Sequence, residues 1–294
     1  MTDKYRNLSP EECVKARRAS MRKCFLFYIL ALVTIAILIL RRQITLIDWL
    51  YDYYITEEVY NKLDALYWHL LILGFAVCVI VLIVVIYIHE AFFIGIMNTL
   101  CDPEKYVKAE LIRCKKSIFR RLSKRNRMNI GVAYLAMKDY ENAWNYYEGL
   151  VPANPYQCRN KALLCRLAGY FHDIGDDEKA AVYKTCLEGL RDSGRSNFLV
   201  ELTLDDLNIE DAIKDQRYEE AKNLIAKYIK SSRVSMYTKT VYQYYLGVIA
   251  YETKDIPEAI FHLKAALEIG EKLPFAEDAK AKLDDMLHMI NLSF

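Results

Sequence analysis

Residues Leu70 to Ile88 read LLILGFAVCVIVLIVVIYI, without a charge, and no other stretch limits the possible folds so strongly. As a helix rising ~1.5 Å per residue, this run covers roughly 28 Å, close to the ~30 Å hydrocarbon core of a bilayer. Fifteen of its residues are Leu, Ile, Val or Phe. Each contributes roughly −0.3 to −0.6 kcal/mol near the centre of a span, against about +3 kcal/mol for one central charge. A membrane-spanning helix is expected, and with its continuation HEAFFIGIM it covers residues 70–97. A buried helix of a soluble protein would leave the basic flanks of this region unexplained.

A second apolar run, residues 24–40, is closed by Arg41 and Arg42 and preceded by Lys15, Arg17, Arg18, Arg22 and Lys23. It is short for a span, but long basic side chains at both ends can snorkel to the headgroups. It ends without a small-x-small cleavage site and a second span comes after it, which favours an uncleaved signal-anchor over a removed leader. Ser9, Pro10 and Glu12 supply a cap, a first-turn proline and a capping-box acid, so the helix is expected to open in the basic stretch 1–23. The link 41–69 is acidic and aromatic, with Asp48, Asp52, Glu57, Glu58 and Asp64 among Trp49, Tyr51, Tyr53, Tyr54, Tyr60, Tyr67 and Trp68. Such rings suit headgroup anchoring, and Thr56 reads as the cap of a helix running into the second span.

Seven Lys or Arg precede the first span and ten lie between Asn98 and Arg127, against Arg41, Arg42 and Lys62 in the link. The positive-inside rule then puts both termini in the cytoplasm and the link outside. An integral protein of a bacterial cytoplasmic membrane fits, and an ER membrane stays open. Because the basic residues crowd the span ends, the net charge of +2 describes no polycation, and nucleic acid is not an expected partner. The eight cysteines include no C-x-x-C pair; they read as small unpaired hydrophobes.

Asp102 and Pro103 open a basic amphipathic helix expected over 102–123, which either lies on anionic lipid or packs its apolar stripe on the downstream domain. From residue 124 a phrase recurs: Asp139-Tyr140-Glu141-Asn142-Ala143, Asp176-Asp177-Glu178-Lys179-Ala180, Arg217-Tyr218-Glu219-Glu220-Ala221 and Asp255-Ile256-Pro257-Glu258-Ala259. The alanines are 37, 41 and 38 residues apart. A polar turn residue, Glu in the first helical turn and Ala at a close approach indicate helical hairpins stacked in series.

The chain here resembles the tetratricopeptide repeat (TPR) family. Ile130-Gly131, Tyr134, Ala143, Tyr147 and Pro155 match its pattern, with Arg127 in place of the Trp. Leu246-Gly247, Ala259 and Ala266 match again, with Ala250 for the Tyr and Pro274 late. Leu164, Leu167-Ala168, Phe171, Ala180 and Leu187 carry the second unit with Lys184 for the aromatic; the third has Asn208-Ile209 where Leu-Gly is expected. The resemblance implies a TPR-like α-solenoid over 124–274; with the two-helix transmembrane hairpin before it and residues 275–294 reading as a capping helix, an all-α chain is expected. The resemblance also implies a partner-binding groove lined by the first helix of each hairpin. At the family's groove spacing these are Arg125, Met128, Val132, Cys165, His172, Asp206, Glu210, Tyr244, Val248 and Tyr251. Met128 and Val132 stand where chaperone-binding members carry a Lys and an Asn, so a carboxylate clamp is not expected.

No Walker loop, G-x-G-x-x-G or G-x-S-x-G elbow occurs, so no cofactor and no catalytic set are expected. His89-Glu90 lacks the second His of a zinc helix and sits at a span's end. His172-Asp173 reads as a chance neighbouring pair, and Asp205-Asp206 as adjacent acids pointing apart on a helix. The expected function is a cytoplasm-facing adaptor that scaffolds other proteins or peptide segments at the membrane. Two alternatives are a sensor relaying a signal from the link, and an accessory subunit of a membrane enzyme or transporter.

Overall fold

The computed structural model describes residues 2–52, 57–116 and 122–292; among them the secondary structure is all helical. Tyr53, Tyr54 and the expected cap Thr56 of the link, and Ile118, Phe119, Arg120 and Arg121 of the expected basic helix, lie outside the described residues. Two units are distinguished, residues 12–93 and a larger one formed by 1–11 with 94–294.

The first unit is built on two long helices, α1 (Pro10–Asp52) and α2 (Glu57–Asn98). Both contain a stretch long and apolar enough to cross a membrane, Pro10–Arg41 and Asp64–Asn98. Their apolar side chains face outward: Phe27, Leu30, Ile72, Leu73 and Ile83 are each 60% or more exposed. Water would penalise so much bare hydrocarbon at about 25 cal/mol per Å². α1 does not stop at Arg41–Arg42. The apolar run ends there, but ITLIDWLYD contains no Gly or Pro, so the backbone continues helical to Asp52. At the other end of the hairpin Arg17 pairs with Glu90 and lies over the Phe93 ring, and Cys24 Sγ approaches His89 Nε2 at 3.6 Å. Glu90 therefore has a cationic partner, and His89 a soft neighbour.

In the second unit Asp102 caps α3 (Pro103–Lys115) by accepting from the Lys105 N–H. α3 buries Tyr106, Val107, Ala109 and Glu110, the last paired with Arg113 at 2.7 Å, and packs on α4. Asp102 also holds Lys272 at 2.5 Å, and the buried Cys101 joins the core of the last helices.

Next in the chain come four helix pairs: α4 (Lys124–Ala136) with α5 (Tyr140–Tyr147), α6 (Lys161–Asp173) with α7 (Asp177–Asp192), α8 (Phe198–Lys214) with α9 (Tyr218–Ile229), and α10 (Met236–Glu252) with α11 (Ile256–Gly270). The first helices also touch in series, α4 to α6 and α6 to α8, and α12 (Ala276–Leu292) packs on α11 and α10. Ala143, Ala221 and Ala259 are fully buried where each pair closes, while Ala180 is only partly so. All eight cysteines are free thiols.

The turn inside each pair is the same. Lys138, Gly175, Gln216 and Lys254 take φ values of 57°, 72°, 59° and 62°. The residue after each donates its N–H to the carbonyl of Tyr134, Phe171, Ala212 or Ala250, five residues earlier. This is the Schellman closure, and its left-handed position favours glycine. Asp139, Asp176 and Asp255 then cap the second helix through their carboxylates; Arg217 does not. Only one of the four turns has the favoured glycine. Lys254→Gly is therefore expected to raise stability by about 1 kcal/mol and Gly175→Ala to lower it by about as much, checked by denaturant unfolding of the full chain in detergent.

Candidate functional site

The first helices of all four pairs meet around one cavity of about 240 Å³. Leu135 and Ala136 of α4 and Tyr140 of α5 wall one side. Asp173 comes from the end of α6, Asp206 and Glu210 from α8, Tyr237, Tyr242, Tyr244 and Tyr245 from α10, and Leu273, Pro274 and Phe275 from the segment before α12. A second cavity of about 170 Å³ shares Asp173, Asp206 and Glu210 and adds Val132, Cys165, Arg166 and Gly169. The three acids stand at the junction of the two.

Each acid is held differently. Asp206 accepts from the Tyr242 hydroxyl. Burial pushes its carboxyl up to about 7 despite that bond, the charge of Glu210 adds to the rise, and Arg166 opposes it. Glu210 accepts from Tyr245 at 2.8 Å and lies 3.1 Å from His172 Nδ1, close but off the axis of a good hydrogen bond. His172 Nε2 meets Asp211 at 2.9 Å, and Lys184 reaches the other Asp211 oxygen at 3.2 Å. Glu210 first, then Asp211, raise His172 to about 9 against its burial. Asp173 is open to water in surface area, yet the crowded wall around it and then the Glu210 charge lift it to about 7.

His172, Asp173 and Glu210 could bring three ligand atoms within 4.8 Å of one another. The oxygens of Glu210 are engaged by Tyr245 and His172, and His172 Nε2 is turned to Asp211, so these groups already have protein partners.

Of the groove residues expected from the sequence, Asp206, Glu210 and Tyr244 line the larger cavity, and Val132 and Cys165 line the smaller. His172 stands behind them, tying α6 to α8. Arg125 is exposed on the first turn of α4, Met128 packs on the neighbouring core, and Val248 borders neither cavity. Tyr251 donates to Asp285 at 2.6 Å and lies under Lys282, so it holds α12; Tyr244 does part of the same work through Asp278 at 2.7 Å and Phe275. Asp205 and Asp206 do point apart, the former to Lys227 and Tyr228 on α9. Asp173, Tyr237, Tyr242 and Tyr245 join the site beyond that expectation. The signal for Asp173 was in the sequence: the row Cys165, Gly169, Asp173 continues one face of α6 at four-residue steps, and His172 lies one residue off it. Comparison with protein-family models, with curated proteins and with solved structures returns no match.

Proposed function

We propose that the chain is a membrane-anchored adaptor: two spans fix it in the bilayer with both termini in the cytoplasm, and a TPR-like array of helix pairs holds a segment of another protein. The observation that supports this reading is the convergence of four first helices on one concave, polar and aromatic cavity. Recognition sites are concave, with a few fixed polar groups among apolar walls, and this cavity has that character. The same helix pairs share one repeated turn, as a solenoid of like units does. The positive charges before α1's apolar run and after α2 support the orientation.

The test is a photo-crosslinking amino acid placed at Leu135 or Val241 on the cavity wall, and as a control at Phe261, which is 65% exposed on α11. In native membranes a discrete adduct from the wall positions, absent from the control, is the expected result. Protease added to intact cells should leave the carboxyl terminus uncut. Adducts no more frequent from the wall than from Phe261, or a digested carboxyl terminus, would overturn the reading.

A further inference from the structure

The geometry points to the chemistry of the group that enters this cavity: we infer that it takes a basic side chain, a guanidinium or ammonium on an aliphatic stem, presented by the partner protein. This rests on the adaptor reading, and it specifies the ligand class of that same site.

Size is the first argument. The cavity of about 240 Å³ and its neighbour of about 170 Å³ lie together at the low end of the ~300–1,000 Å³ typical of cofactor and drug-sized sites, which suits a side chain better than a nucleotide. Charge is the second. Asp173, Asp206 and Glu210 come to it from two helices; Lys138 also lines it and its charge reaches Asp173, and Arg166 lines the adjoining cavity, so the acids remain in excess. His172 is already committed to Glu210 and Asp211. Asp173 accepts no hydrogen bond among the described residues, which leaves a carboxylate facing the cavity.

An independent observation comes from the opposite wall. Tyr237 on α10 is half-buried and lines the cavity. Its hydroxyl has no hydrogen-bond partner among the described residues, although it is near enough to Asp173 and Glu210 to feel their charge. Such a phenol, open to the cavity, is free to pair with a polar group that enters it. A guanidinium or ammonium entering between Asp173 and Asp206 would meet carboxylates on one side and tyrosine rings on the other. Rings contribute cation–π attraction and cover the aliphatic stem. A metal ion would gain nothing from those rings.

The experiment uses the full chain in nanodiscs and short alanine-rich peptides carrying one central Arg, Lys, citrulline or norleucine, followed by saturation-transfer NMR. Arg and Lys peptides should bind at least tenfold more tightly than the neutral pair. The double variant Asp173→Asn, Asp206→Asn should remove that preference while Asp285→Asn, outside the cavity, retains it. Equal binding of citrulline and arginine would overturn charge recognition, as would zinc or manganese alone displacing a bound arginine peptide at equimolar concentration. If no peptide binds while wall-specific crosslinks still form in membranes, the cation inference fails and the adaptor reading stands.

Discussion

Gly131→Ala is expected to destabilise the protein by about 2–3 kcal/mol, whereas Gly189→Ala, also within a helix, is expected to stabilise it by up to about 1 kcal/mol. A methyl group on Gly131 would lie 2.4 Å from Tyr147 Cε1 and 2.6 Å from its Cζ. Tyr147 has no exposed surface and is boxed in by Tyr170 at 5.9 Å between ring centres, so its ring has little room to retreat. Around Gly189 nothing lies within 4 Å, and there the substitution only removes backbone freedom from the unfolded chain. Gly247 repeats the first case in the last pair, 2.7 Å from the Leu263 side chain and 3.1 Å from its backbone nitrogen. At 2–4 °C per kcal/mol for a domain of this size, Gly131→Ala should lower the melting temperature by roughly 4–12 °C. Thermal unfolding of the full chain in one detergent checks both; shifts of the same sign at Gly131 and Gly189 would sink the argument that close helix approach, rather than propensity, fixes these glycines.

Those two close-packed glycines were legible in the sequence, because Ile130-Gly131 and Leu246-Gly247 recur at the same place in their units. The apolar runs and the capping aspartates Asp139, Asp176 and Asp255 were legible for the same reason: each is a local signal with a local cause. Closure of the array was not. That the segment Leu273–Phe275 and the turn at Lys138 should face one cavity depends on the angle at which each pair packs on the next, and no single residue sets it. The same applies to Tyr244 and Tyr251. They lie on the expected face of α10, but the approach of α12 gives their hydroxyls Asp278 and Asp285. The end of α1 obeys another rule, since Arg41-Arg42 ends an apolar run without ending a helix.

Asp206→Asn is expected to stabilise the protein by about 2 kcal/mol at pH 8 and to leave it nearly unchanged at pH 4. The Asp206 carboxyl is raised to about 7 in the folded chain, chiefly by burial, while in the unfolded chain it titrates near 3.9. Between those values the unfolded chain binds fewer protons, so stability falls as pH rises from about 4 to about 7 and stays lowered above that. Three units would correspond to about 4 kcal/mol at 1.36 per unit; water reaching the cavity reduces this to roughly half. Asparagine can still accept from Tyr242 and carries no charge to desolvate. His172 contributes a later decline: its proton stabilises the fold fully below about 6.5, and that contribution is lost as pH rises through about 9. The wild type should therefore weaken in two stages; the variant keeps a smaller first stage, because Asp173 is also raised to about 7, and loses the part due to Asp206, measured by urea unfolding in detergent from pH 4 to 9. A wild-type profile flat between pH 4 and 8 would refute the assignment. A positive group bound beside these carboxyls would relieve the cost of ionising them, so a bound arginine peptide should flatten the first stage of the wild-type profile and leave that of the double variant Asp173→Asn, Asp206→Asn unmoved.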